Sequence, residues 1–380
     1  MSRLNRAQVQ ERNRAKVLAA ARDEFTEHGF RDAKVDAIAE RAGLTRGAVY
    51  SNFPGKRALY FAVLADVAEH APEPPHPKPG RTGREALGAF ARSWISQLPL
   101  AGTEGQQDPP RLGRYLMPEI LAEEWIRRPF AQLMKLDAVL LGLALEQSPR
   151  SGVRAADPLP GRLVRIAEAT LTTLYGASQL ADAAPGFIDP FNVVGTCERL
   201  ADLRLDDTWP PPHLAFVPPA LPADEPWAPP PVAVDLVRGR PVRLGGDGVL
   251  AVLGLHRLEA AEELVRAAPA GAAVTAVLAT ASPGELGPLA RLAVADLGGC
   301  LRGAFPESAW PRLRVVPDES GAVAAAAGVA VVGDGTEAAV RLDGGRIVAR
   351  AHGRGACHAA ASAPAGKRTC RAPAPTVRFS

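Results

Sequence analysis

At 380 residues, with 47% hydrophobic residues and a formal net charge of +3, the chain is too long for one ordinary domain and apolar enough for several cores. Its four cysteines, Cys197, Cys300, Cys357 and Cys370, are widely spread and form no C-x-x-C, which excludes a secreted disulfide framework. No uninterrupted apolar run approaches the ~20 residues that a bilayer demands. The polar, Arg-rich N-terminus has no apolar signal-peptide core, so a soluble cytoplasmic protein is expected.

The charge is uneven. Residues 1–60 hold 12 Lys/Arg against 7 Asp/Glu, residues 61–205 hold 15 against 17, and residues 206–380 hold 17 against 17. The positive excess therefore sits at the N-terminal end, where a nucleic-acid-binding module would need it.

A helical pattern runs from about Glu11 to His28, with Val17, Ala20, Ala21 and Phe25 on one stripe and Gly29 as its stop. Val35 to Ala42 is a second helix whose buried face is Val35, Ile38, Ala39 and Ala42. Gly43 allows the positive φ of a tight turn. A short third helix follows, anchored by Leu44, Val49 and Phe53 and closed by a Pro-Gly break. A fourth runs from Lys56 to about His70 with Leu59, Val63 and Val67 as its stripe.

No acidic residue occurs from Gly43 to Arg57. Thr45 suits the helix N-cap. Arg46 can bond guanine O6 and N7 bidentately, or stay with phosphate and solvent. Gly47, with Ala48, leaves room for close backbone approach. Ser51 and Asn52 fit phosphate or base contacts, Asn being able to read adenine. Lys56 at a helix N-terminus, and Lys34 before the second helix, suit phosphate. Asp36 in the first turn of the second helix would repel a phosphate nearby.

The text VLAAARDEFTEHGF, then VDAIAERAGLTRGAVYSNFPGKRALYFAVL, resembles the TetR family of transcriptional regulators over roughly residues 11–70. The resemblance implies a three-helix DNA-binding head (11–71) with Tyr50 on a phosphate. It also implies a helical body (72–206) holding a pocket for a small-molecule inducer. A homodimer on a palindromic double-stranded operator completes the expectation, with a repressor as the outcome and the last two body helices, 161–184 and 190–205, as the dimer interface. Helical segments near 84–98 and 112–147, the latter broken near Pro118 and Pro129, complete the body. Leu163, Ile166, Ala167, Thr170, Leu171 and Leu174 lie at helical spacing and serve core or interface.

Residues 207–231 are so dense in proline that helix and central strand are excluded, and an extended linker pinned by Trp209 and Trp227 is expected. From Pro231 strands alternate with helices, ending in a hairpin at Asp343-Gly344-Gly345, which predicts an α/β sandwich. The text GVLAVLGL, RLRVVPDESGAVAAAAGV and TEAAVRLDGGRIVARAHG resembles the thioredoxin-like fold over 232–354. That resemblance implies a nucleophilic thiolate at the first strand-to-helix junction, but Leu255-His256-Arg257-Leu258 holds no cysteine, and the facing proline is also missing. A non-enzyme with no catalytic residue, cofactor or metal is expected. The alternative is a thiol-redox enzyme or redox sensor on a DNA-binding head. Residues 355–380 are expected to be a disordered basic tail, and His352, just before it, with Cys357, His358 and Cys370 matches no zinc spacing.

Overall fold

The computed structural model describes residues 6–72, 78–98, 112–149, 161–205, 207–209 and 211–364. Helix α1 (Arg6–Asp32) buries its stripe of Val17, Ala20, Ala21 and Phe25. The expected stop is visible inside it: Gly29 leaves helical geometry at φ 71°, ψ 171°. Helix α2 (Val35–Ala42) buries Ile38, Ala39 and Ala42. Gly43 ends it at φ 64°, and the N–H groups of Gly43 and Leu44 bond back to the carbonyls of Glu40 and Ala39, which satisfies two otherwise free acceptors. Helix α3 (Arg46–Asn52) buries Val49, with Phe53 just beyond it in the same core. Helix α4 (Lys56–Glu69) departs from the expected single stripe. Every residue from Ala58 to Ala65 is buried, because a helix from far along the chain covers its second face.

The helical body comprises α5 (Gly83–Ile95), α6 (Leu116–Ala122), α7 (Glu124–Gln147), α8 (Val164–Ala183) and α9 (Pro190–Leu200). The break between α6 and α7 falls at Glu123, in extended conformation, rather than at either proline. Pro118 lies in the first turn of α6, where its missing N–H costs no helical bond. Pro129 continues inside α7. On α8 the stripe of Ile166, Ala167, Thr170, Leu171 and Leu174 is buried as its spacing predicts, with Leu163 partly buried just before the helix.

The proline-rich stretch is more than a linker. Pro212–Phe216 is a 3-10 turn, and β1 (Leu221–Pro226) forms the edge of a sheet, antiparallel to the last strand. An edge position tolerates Pro222 and Pro226, because one side of the strand needs no donors. Trp227 is buried and donates its indole N–H to the Leu244 carbonyl at 2.7 Å.

Next come the small hairpin β2 (Ala233–Asp235) and β3 (Arg240–Val242), then β4 (Gly248–Gly254), α10 (Ala260–Ala267), β5 (Ala273–Ala279), α11 (Pro283–Ala304), β6 (Leu313–Pro317), α12 (Ala322–Ala326), β7 (Glu337–Asp343), β8 (Arg346–His352) and α13 (Ala356–Ser362). The main sheet has the order β1-β8-β7-β4-β5-β6. β4, β5 and β6 are parallel, while β7, β8 and β1 join antiparallel. β4 is buried at all seven positions, as a central strand covered on both faces must be. The β7–β8 turn uses Gly344 and Gly345 at positive φ, as the Asp-Gly-Gly signal predicts. Ala356–Ser362, inside the stretch expected to be a disordered tail, is a helix with Cys357 and Ala359 to Ala361 buried against α10, β7 and β8. Residues 365–380, including Cys370, lie outside the described residues.

Alternate residues of β4 face two different neighbours. Leu250 and Val252 join Trp227, Val277, Val316 and α12 in a cluster on one side. Val249, Ala251 and Leu253 face the other way, into a core that runs without a break through α11 into the helical body and head. The helix covering α4 is α11, which also packs on α5 and α7. Residues 72–206 and 232–354 therefore share one core. Charged pairs seal its rim: Arg162–Glu262 at 2.7 Å, Arg266–Glu146 at 2.8 Å, Lys135–Glu259 at 2.7 Å and Arg291–Glu69 at 3.0 Å.

Candidate nucleic-acid interface

The head is assembled around a buried carboxylate. Glu24 on α1 is almost fully covered, accepts the backbone N–H of Lys34 at 3.2 Å and lies 3.4 Å from Arg41 on α2. This fixes the start of α2 against α1 and leaves the Lys34 side chain exposed at that corner. Thr45 is the N-cap of α3: the N–H of Ala48 donates to its hydroxyl at 3.2 Å. Capping of this kind contributes about 1 kcal/mol to a helix end.

The outer face of α3 presents Arg46, Gly47, Tyr50 and Ser51, all exposed. Arg46 lies over the Tyr50 ring at 5.6 Å and pairs with Asp36 of α2 at 3.3 Å. The two paired side chains are 60% and 69% exposed, so water and salt screen the pair strongly. Asp36 thus parks the guanidinium without holding it against a stronger acceptor. A Cβ on Gly47 would meet only the Thr45 hydroxyl, at 3.9 Å, so the space outside it is open. Ser51 donates its hydroxyl to the Ala48 carbonyl at 2.9 Å, and Asn52 donates its amide to that same carbonyl at 2.8 Å. Asn52 therefore finishes α3, and its amide is already engaged.

Lys56 opens α4 but turns back toward α1. Its amine donates to the Arg31 carbonyl at 3.0 Å and lies 4.9 Å from the Phe30 ring centre. Partial burial lowers its pKa from the ordinary lysine value. The exposed face thus brings together Lys34, Arg46, Gly47, Tyr50 and Ser51. Thr45 and Asn52 serve the two ends of α3, and Lys56 closes the α1–α4 corner.

Two contributors escaped the sequence reading, and a third, Asp36, entered it only as an acid that would repel phosphate. Asp36 is the resting partner of Arg46. Arg14 of α1 lies 4.6 Å over the Phe53 ring and donates to the Asn52 carbonyl at 3.5 Å, bracing the end of α3. Arg57 reaches out of the head to Glu119 at 2.9 Å and Glu123 at 3.2 Å, joining α4 to α6. Asp36 stands on the helix before the motif, where its charge signals a good helix start and a repelled phosphate but not a pairing with Arg46. The other two are long-range contacts with no local signature.

The first strand-to-helix junction of the sheet region, from β4 to α10, is closed. The Gly254 N–H donates to the Thr336 carbonyl at 2.7 Å and the His256 N–H to the Asp334 carbonyl at 2.8 Å. A Cβ on Gly254 would lie 2.3 Å from the Asp334 carbonyl oxygen, so glycine is required for that loop to cross the strand end. The three described thiols, Cys197, Cys300 and Cys357, are free and buried. Burial pushes Cys197 up to about 11, Cys300 up to about 12 and Cys357 well above the ordinary thiol value. A buried, protonated thiol is a poor nucleophile.

Residues 17–63 match the family model described as bacterial regulatory proteins, tetR family. Over that segment the head of this chain is similar to the tetR-family regulators. Among curated relatives, the transcriptional regulator SrpR of Pseudomonas putida is 45% identical over 65 residues, 17% of this chain and 30% of its own length. TtgW, an uncharacterized regulator also of Pseudomonas putida, is 45% identical over 65 residues, 17% of this chain and 48% of its own length. The chain thus spans less than half the length of either relative. Among solved structures, a TetR transcriptional regulator from Rhodococcus sp. RHA1 aligns with a TM-score of 0.31 at 16% identity, over 51% of this chain and 95% of that one.

Proposed function

We propose that the chain is a DNA-binding transcriptional regulator, a ligand-responsive repressor that grips a palindromic double-stranded operator as a homodimer. The observation that carries this reading is the outer face of α3: Arg46, Gly47 and Tyr50 stand exposed on a capped helix with no carboxylate of its own. A dimer would set two such helices about 34 Å apart in successive major grooves. The exposed Leu180, Phe187 and Phe191, near the joint of α8 and α9, support pairing on that side. An inducer acts by binding one head spacing better than the other, since only differential affinity shifts a two-state equilibrium.

In this reading Arg46 leaves Asp36 for a base edge, Tyr50 and Lys34 hold phosphates, and Gly47 admits the backbone. Lys56 and Asn52 act mainly by shaping the head. In this reading the sheet region, 232–354, is a thioredoxin-like domain in a non-catalytic role, a reading supported by three parallel strands, β4 to β6, joined to the terminal β7–β8 hairpin. The test is a gel-shift titration against selected DNA. Arg46→Ala should lose about 1–3 kcal/mol of operator binding and relax the preference at one base pair. Unchanged affinity and unchanged preference would remove α3 from the interface.

A further inference from the structure

Helix α11 touches the head and its connection to the body at three successive places. At its first turn a Cβ on Gly284 would lie 3.3 Å from the Pro54 ring, in the α3–α4 turn. Further along, Arg291 pairs at 3.0 Å with Glu69, the last residue of α4, and at 3.0 Å with Glu319 after β6. At its end the Ala304 carbonyl accepts the Gly80 N–H at 2.9 Å. Pro54, Glu69 and Gly80 thus meet α11 in chain order, so α11 lies along α4 as a splint. The splint is itself fixed: Leu286, Leu289, Val294, Leu297 and Leu301 are buried, and it packs against α5, α7, β5 and β6. It comes from Pro283–Ala304, far outside the segment 17–63 that matches the regulators.

Gly284 and Pro54 are both exposed, so their contact adds little buried area to the fold. Its place matters more, because Pro54 directly follows Phe53, which closes α3. The Gly284 backbone lies outside the positive-φ region and does not itself call for glycine. Within a helix glycine is also a poor choice. What calls for it is room: at 3.3 Å the Pro54 ring would have to give by a few tenths of an ångström to admit even an alanine. A face that reads another molecule must be held within ~0.5 Å of its place, so a displaced turn misplaces α3. We propose that Gly284 is a positioning residue for DNA binding: the α3–α4 turn seats on the start of α11, and through this seat the sheet region sets where α3 stands relative to the body. The proposal rests on the DNA-binding reading above and extends it to a region outside the head.

In a dimer two α3 helices must enter two major grooves at once, so their separation depends on how each head sits on its body. A seat that holds this separation in advance spares the complex the cost of ordering it. A single half-site makes no such demand. Disturbing the seat therefore costs affinity for a palindrome and spares affinity for one half-site. Damage to the fold or to the outer face of α3 costs both.

The test is fluorescence anisotropy on the full chain with two duplexes taken from the sequence the parent selects, the whole palindrome and one half-site in random flanks. Gly284→Val should bind the half-site within about twofold of the parent and the palindrome about 10-fold more weakly. Pro54→Ala removes the ring that the new side chain meets, so on that background the same valine should cost palindrome binding about twofold at most. Gly284→Ala favours a helix and should melt no lower than the parent, with the same split at smaller size. If the valine variant fails to fold, the alanine variant decides. Unchanged or tighter palindrome binding, an equal loss on both duplexes, or an undiminished valine effect on the Pro54→Ala background would each overturn the positioning role and leave the DNA-binding reading standing. A folded parent that selects no palindrome overturns both.

Discussion

Helix α3 has 7 residues and one buried side chain, Val49, whereas α11 has 22 residues and buries side chains along nearly its whole length. α3 is held by Val49, the flanking Phe53, a threonine cap and one bracing arginine, and its outer face, with Arg46, Gly47, Tyr50 and Ser51, is exposed. α11 has no comparable free face. It is wedged among the sheet, α4, α5 and α7. The difference teaches that a short, exposed helix takes its meaning from residue type and punctuation, and a long, buried one from what surrounds it. A change in α3 should touch binding more than folding, and a change in α11 should do the reverse.

The most drastic way to break this comparison is to remove α11 with everything after residue 206. The second face of Ala58–Ala65 and the facing parts of α5 and α7 then stand bare. The shortened chain should aggregate or run as a polydisperse species in size-exclusion chromatography. A monodisperse 1–206 fragment that melts as cooperatively as the full chain would show that the two regions are independent after all.

A gentler probe is Leu297→Ala. Leu297 is 1% exposed in the middle of α11, and deleting such a side chain costs about 2–5 kcal/mol. Urea unfolding should shift as one transition for the head and sheet together. Two separated transitions, only one of them moved, would split the core described above.

Asp296 gives a pH-dependent probe of the same helix. Burial lifts its pKa from 3.8 to about 6, next to the raised Asp137, Tyr175 and Cys300. A raised acid holds its proton longer when folded than when unfolded, so it favours folding at low pH and this advantage is lost as pH rises. Asp296→Asn should therefore melt higher than the parent at pH 7, with the margin shrinking toward pH 4. A margin that grows on acidification would give the wrong sign and point to an ion pair instead.

The smallest expected effect lies on α3. Thr45→Ala removes the one side-chain bond at its start and should cost about 1 kcal/mol of stability, read by the same urea titration. A loss as large as that of Leu297→Ala would mean that α3 is held more firmly than its few contacts indicate.

The head was legible because its signals are local. Gly29, Gly43 and Thr45 act on their own backbone, and the spacing of Ile38, Ala39 and Ala42 needs no knowledge of what covers them. The β7–β8 turn was legible for the same reason. What failed was everything set by distant chain. The stripe on α4 was only half of its buried surface, because α11 arrives from more than two hundred residues away. The proline-rich stretch contributed an edge strand, since β8 supplies hydrogen bonds on the one side where β1 can take them. The Ala-rich run after Gly355 is helix because α10 and the β7–β8 hairpin cover it. In the candidate site, Lys34, Arg46, Gly47, Tyr50 and Ser51 are exposed, but the residue types did not tell that Asp36 would hold Arg46, nor that Asn52 and Lys56 would turn inward.

The most direct test of the central claim is selection of bound duplexes from a random pool by the full chain, followed by sequencing. An enriched palindrome with half-sites about one helical turn apart is the predicted result, and its loss in Arg46→Ala ties it to α3. No enriched sequence from a folded, monodisperse preparation would contradict it.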